Sequence, residues 1–192
     1  MRLRHLALST ILSFTAIGAQ AADSYNIDPI SSSAIFRVKH FNVAYFYGTF
    51  NSVNKLESSI VWDQAAPANS KVVIVIDAAS VDSRDAKRDA HLANPDFFDA
   101  KQFPVLKFSS TTIKALDADR YEVAGEFTMH GVTKPLTITV TKTGEGKDPK
   151  GDQRIGFETT FVVKRSDYGM DKMLANIGDE VTVIFSTEGI RK

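Results

Sequence analysis

Residues 154–165 read "RIGFETTFVVKR". Ile155, Phe157, Thr159, Phe161 and Val163 share one parity, while Glu158, Thr160 and Lys164 share the other. A helix would scatter both sets around its axis. A period of two describes a strand with one apolar face. The same pattern recurs at 120–129, where Tyr121, Val123, Gly125, Phe127 and Met129 oppose Glu122, Glu126 and Thr128. It recurs at 136–141, with Leu136, Ile138 and Val140 against three threonines, and at 181–187, with Val181, Val183 and Phe185 on one side.

Working outward, the segments 24–28, 33–40, 45–53, 56–62, 71–78 and 105–115 also read as strands. Val72–Ile76 is apolar throughout and should be covered on both faces. His130-Gly131-Val132 reads as a hairpin turn, residues 144–151 as a polar loop, and Asn54-Lys55 as a less typical hairpin turn, since glycine is expected after asparagine. Many strands with short connections predict an antiparallel barrel or sandwich. No repeat or linker divides the chain, so one domain is expected over 22–192.

The helical exception lies at 84–93, "RDAKRDAHLA". Asp82 or Ser83 would cap it, with Asp85 near its positive end. At 100° per residue Ala86, Ala90 and Ala93 form a small apolar face, expected to pack over one end of the sheet. Asp85, Asp89 and Leu92 form a second stripe, and Arg84, Lys87, Arg88 and His91 a basic third. "NPDFFD" (94–99) then offers a second helical turn, capped by Asn94 with Pro95 in first position, and Phe97, Phe98 and Phe103 would follow it inward as a plug. The basic stripe suits an anionic head group, or a solvated face paired with nearby carboxylates. A catalytic reading of Arg88, Asp89 and His91 is weak, because residues two apart on a helix diverge by about 200°. His5, His40, His91 and His130 show no metal-ligand spacing, so no metal is expected.

The first residues carry Arg2 and Arg4, then a mostly apolar run over 6–19, then Ala19-Gln20-Ala21. That order is expected of a secretory signal peptide cut after Ala21. The run is shorter than the roughly 20 apolar residues a membrane span needs, so stable membrane insertion is not expected. The 192 residues hold 23 Lys and Arg against 23 Asp and Glu, and no cysteine. A near-neutral balance argues against nucleic acid as the main partner. Without cysteine there is no thiol catalysis, no disulfide and no lipid-anchored leader.

"SVDSRDAKRDAHLANPDFFDAKQFPVLKFSS" (80–110) resembles the signature of the YceI-like family: S-V-D-[ST], then R-D-x-H-L, D-F-F-[DN], a proline and F-x-S. "SSAIFRVKHFNVAYFYGTF" upstream, and "GEFTMHGVTKPLTI", "FVVKRSDYGM" and "IGDEVTV" downstream, resemble the rest of its pattern in order. Asn42 and Lys55 depart from it, both at turns. The resemblance implies an all-β fold: a lipocalin-like antiparallel β-barrel of about eight strands with one short helix and a second helical turn at one end. It implies a cavity for a long-chain amphiphile, a polyisoprenoid or fatty-acid derivative, with no other cofactor, in a secreted or periplasmic protein, and homodimers are known among members. Alternation alone fits a filled core equally well. The supply of 13 Phe, 5 Tyr and 1 Trp is suited to a cavity wall. The candidates for that wall are Phe36, Val38, Phe97, Phe98, Phe108, Phe127, Met129, Ile138, Phe157, Phe161, Val183 and Phe185. Arg84, Lys87 and His91 are the head-group candidates. The expected role is carrier rather than enzyme. The rivals are an enzyme acting on such a lipid through His91, Asp89, Asp167 or Asp171, and an interaction module without a ligand.

Overall fold

The computed structural model describes residues 22–192; the expected leader, 1–21, lies outside the described residues. The strands are β1 (Asp23–His40), β2 (Ala44–Phe50), β3 (Ser59–Trp62), β4 (Lys71–Asp77), β5 (Val81–Asp82), β6 (Val105–Ala115), β7 (Arg120–Met129), β8 (Val132–Lys147), β9 (Gln153–Lys164) and β10 (Ile177–Arg191). One α-helix, α1 (Ala86–Leu92), separates β5 from β6. Neighbouring strands pair antiparallel in the order β1-β10-β9-β8-β7-β6-β4-β3, and β3 returns to β1, so eight strands close a barrel. Closure leaves the ring without a long free edge. Among the described residues no helix is long and apolar enough to cross a membrane.

β1 merges the two segments expected at 24–28 and 33–40. Between them the Asp28 side chain accepts the Ile30 amide at 3.1 Å and its carbonyl accepts the Ser32 hydroxyl at 2.7 Å, which shifts the register against β10 between Asp28 and Ser33. The two halves take different partners. Residues 23–26 pair with β3, and 34–40 pair with β2. β2 and β3 therefore lie in succession along one side of β1 and do not form the hairpin that Asn54-Lys55 suggested. Residues 144–147 are also strand, not loop: a register shift between Lys142 and Gly144 leaves Thr143 as the extra residue, and the ladder with β9 continues from Gly144 to Lys147.

That ladder has an upper limit. It runs from Lys147 back to Val140, opposite Thr159, and stops, although β8 continues back to Val132 and β9 on to Lys164. Pro135 sits on this side-unpaired half of β8, where a missing N–H costs no bond across the seam.

The interior holds apolar clusters toward each end. Tyr25, Ile60, Trp62, Ile113, Tyr121, Ile155 and Phe157 pack at the lower end. Trp62 meets Tyr121 and Phe157 edge-on, with ring centroids 4.7 and 5.0 Å apart. Below them Arg154 clamps the strands: it holds Asp28 at 2.8 Å, Glu188 at 2.9 Å and Asp148 at 2.9 Å. The upper cluster contains Phe36, Phe50, Phe97, Leu106, Phe127, Met129, Val163 and Tyr168. Glycines admit the rings here. A Cβ on Gly48 would lie 2.2 Å from Cζ of Phe36, and one on Gly125 would lie 2.4 Å from the Ser109 carbonyl oxygen and 2.7 Å from Cζ of Phe108.

α1 is shorter than the 84–93 expected. Arg84 is left-handed (φ 64°), and Asp85 is the cap, its carboxylate accepting the Arg88 amide at 2.9 Å. Its face also differs. Ala86 and Ala90 are exposed, while Asp89, Leu92 and Ala93 turn inward. The cause is a polar anchor at Ser83, which is 1% exposed. Asp89 accepts the Ser83 amide at 2.7 Å and its hydroxyl, and Arg88 donates to the Ser83 hydroxyl at 2.8 Å and carbonyl at 2.7 Å. These charge-assisted bonds orient the helix more strongly than an alanine stripe can. A second turn follows at the same end: Asn94 accepts the Asp96 amide at 2.9 Å on its side chain and the Phe97 amide at 3.1 Å on its carbonyl.

Candidate functional site

The barrel is not filled. Strand alternation points Phe108, Phe161, Val181, Val183 and Phe185 inward, yet each is only half-buried. Inward side chains that keep accessible surface mark a hollow, and a cavity of about 380 Å³ runs between the clusters. That lies within the roughly 300–1,000 Å³ of small-molecule sites.

Its floor is Trp62, Tyr121 and Phe157, and its walls come from every strand of the ring. All of the wall candidates named from sequence line it. Ile138 and Phe157 belong to the lower cluster, and Phe36, Phe97, Phe127 and Met129 to the upper. Phe108, Phe161 and Phe185 touch both. Val38, Phe98 and Val183 complete the upper wall. Phe97 is buried beneath α1, and Phe98 meets Phe50 edge-on at 5.2 Å.

Four of the five exposed lining residues, His40, Arg88, His91 and Met173, place the mouth between α1, the β1–β2 hairpin and the segment before β10; the fifth is Glu158, on β9. The head-group candidates divide here. His91 lines the mouth, with Nε2 3.1 Å from Asp96. Arg84 and Lys87 are exposed on α1's flank and do not line the cavity. Arg88 does, with its guanidinium 4.3 Å over the Phe46 ring. The bond from His91, with Lys172 at 3.5 Å, holds the Asp96 carboxyl below the usual carboxylate range.

Arg165 is the polar group that sequence reasoning missed. It is 3% exposed, lines the cavity, and donates to the carbonyls of Met170 (2.6 Å), Lys172 (2.8 Å), Ile177 (2.8 Å) and Gly178 (3.0 Å). Burial lowers its pKa from the ordinary value. Its role is to tie the segment before β10 to the barrel. The parity of 155–163 carried one step further points Arg165 inward, and that of Phe36 and Val38 points His40 the same way. Ile177 shares the parity of Val181, Val183 and Phe185, and Phe46 that of Phe50, whereas Met170 and Met173 lie outside the strands and had no such signal.

The acid–base groups of the enzymatic alternative are not gathered. Asp89 is bound to Ser83, and Asp167 is exposed, 3.6 Å from Lys134. Asp171 is exposed, and none of the three lines the cavity. Among the described residues no group of His, Cys, Asp and Glu is placed to hold a metal.

Known proteins share this architecture. The chain is 40% identical over 182 residues to a UPF0312 protein of Yersinia enterocolitica, covering 94% of this chain and 92% of the relative. A UPF0312 protein of Pseudomonas aeruginosa is 40% identical over 189 residues, 97% of this chain and 96% of the relative. Among solved structures, BcnA of Burkholderia cenocepacia superposes with a TM-score of 0.76 at 26% identity, over 85% of this chain and 99% of that one. A polyisoprenoid binding domain from Saccharophagus degradans superposes at 0.67 with 16% identity, over 88% and 98%. Residues 25–189 match the model of the YceI-like domain, and the chain belongs to the YceI-like family.

Proposed function

We propose that this protein binds and carries a long-chain amphiphilic lipid, a polyisoprenoid or fatty-acid derivative, in the periplasm, after removal of residues 1–21. The observation that carries this reading is the hollow apolar interior, closed below by Trp62, Tyr121 and Phe157 and open beside α1. A hydrocarbon chain gains about 0.8 kcal/mol per CH₂ removed from water, and this wall offers it little polar competition. The description of the Saccharophagus degradans barrel as a polyisoprenoid binding domain is consistent with the same use. The polar end of the lipid would sit at the mouth, against His91 and Arg88, with Arg84 and Lys87 on the outer flank.

The test is native mass spectrometry of protein expressed with its own leader and released by osmotic shock. The expected species begins at Ala22 and carries extra mass that extraction identifies as lipid. Phe161→Asp should remove that mass, because an unpaired charge on the wall is costly. Wild-type protein recovered without any bound lipid would overturn the carrier reading, and an intact Met1 in membranes would overturn the location.

A further inference from the structure

The mouth of the cavity is framed by apolar side chains that no other described residue covers. Val43, at the β1–β2 turn, is 81% exposed, and Phe41 beside it is 53% exposed. Leu174 and Met173, on the segment before β10, are 41% and 39% exposed. These two tips are neighbours: the Phe41 amide donates to the Asn176 carbonyl at 2.6 Å, and His40 pairs with Ile177. Residues 40–47 and 173–178 contain no Lys, Arg, Asp or Glu. Lys39 flanks the first, and the second lies between Lys172, which follows Asp171 and is 3.5 Å from Asp96, and Asp179. Tyr45 and Tyr47, 54% and 46% exposed, stand on the outer face just behind the hairpin tip. The guanidinium of Arg37 lies 4.4 Å from the Tyr45 ring centre, and the Lys39 ammonium 4.9 Å from it.

The backbone presents these groups at a cost. Phe41 (φ 49°) and Met173 (φ 57°) both adopt the left-handed conformation, which bulky L side chains disfavour. Such outliers persist where the surrounding structure holds them. Here the Asn176 carbonyl holds Phe41, and Arg165 holds the Lys172 carbonyl next to Met173. Met173 faces both ways, lining the cavity and remaining exposed, so the apolar wall continues without a break onto the outer rim.

We propose that this rim is a membrane-docking surface, in which Phe41, Val43 and Leu174 insert into the head-group region of a phospholipid bilayer around the cavity mouth. Apolar tips, a tyrosine tier behind them and flanking lysines match the chemistry of a bilayer interface in that order of depth. A wall continuous with the membrane would let a hydrocarbon chain pass into the barrel without crossing water. The inference rests on the lipid-carrier reading, and the experiment separates the two.

Mature wild-type protein and the double variant Val43→Glu/Leu174→Glu are floated with phosphatidylethanolamine–phosphatidylglycerol vesicles. Neither substituted residue lines the cavity. Wild type should co-float, and the variant should do so at least about tenfold less. Native mass spectra in vesicle-free buffer should show equal lipid occupancy in both. Failure of the wild type to float, or equal flotation of the variant, would overturn docking. So would a wild-type dimer that the variant loses while flotation is unchanged, since the rim would then bind a second copy. Absence of bound lipid in both spectra would end the carrier reading, while flotation would still decide whether the rim meets a membrane.

Discussion

Two arginines that line the cavity, Arg88 and Arg165, are fixed by hydrogen bonds to neighbouring segments of the chain. Arg88 and Asp89, whose catalytic reading was already weak in the sequence, both bond to Ser83. Arg165 is the sharper case. A guanidinium offers five donors in a fixed fork, and here four of its contacts are to carbonyls drawn from residues 170–178. A lysine brings the same charge but cannot reach that spread. Arg165→Lys should therefore leave carbonyls unpaired beside a buried ammonium and destabilise the fold by roughly 1–3 kcal/mol. In a domain of this size that lowers Tm by about 2–4 °C per kcal/mol. Thermal unfolding followed by circular dichroism checks it, and a Tm equal to wild type would show that the segment before β10 is held by other contacts. The partners of Arg165 were illegible in sequence, because they are main-chain groups, two in a segment without periodicity and two at the start of β10.

At the scale of elements, periodicity was sufficient for strands and insufficient for what joins them. The parity of 154–165, 120–129 and 181–187 sorted inward from outward residues, except that Glu158, on the outward parity, also lines the cavity. It could not show that β2 and β3 follow one another along β1, since that depends on a register shift made by the Asp28 turn. Nor could it show where the β8–β9 ladder stops; Pro135 was the one available sign. The helix misled for a definite reason. Its alanine stripe suggested a packing face, but the anchor at Ser83 turns Leu92 toward the cavity and leaves Ala90 in solvent. Opposite outcomes follow for the two residues. Ala90→Trp should change stability by less than about 0.5 kcal/mol, as exposed substitutions do, and leave ligand release unaltered. Leu92→Asp should place a charge at the mouth and speed the release of a fluorescent long-chain fatty acid several-fold. Stopped-flow dilution measures both rates. Faster release from the Ala90 variant alone would restore the alanine face.

The molecule as a whole has a sealed end and an open end, and the division follows from where polar and apolar groups can be satisfied. The wall was legible because each inward residue repeats at a period of two, whereas hollow and filled barrels have the same alternation. The mouth was less legible, because its groups come from three separated segments. The sealed end depends on Arg154, which joins β9 to Asp28 on β1, Glu188 on β10 and Asp148 in the β8–β9 turn. Its bonds hold the Asp28 and Asp148 carboxyls below their ordinary range, with the hydrogen bond from Arg154 the largest influence on each. A carboxyl whose folded pKa is depressed contributes stability that is fully present above its unfolded value, about 3.9. That contribution is lost as pH falls through the lower folded value. Arg154→Ala should therefore be less stable than wild type at neutral pH. The gap between the two proteins should hold down to about pH 5 and then narrow as the carboxylates protonate. Urea unfolding midpoints measured from pH 7 to pH 2 give the gap directly. A gap that stays constant across that range would mean that Arg154 stabilises the lower end through packing of its side chain and not through its carboxylate partners.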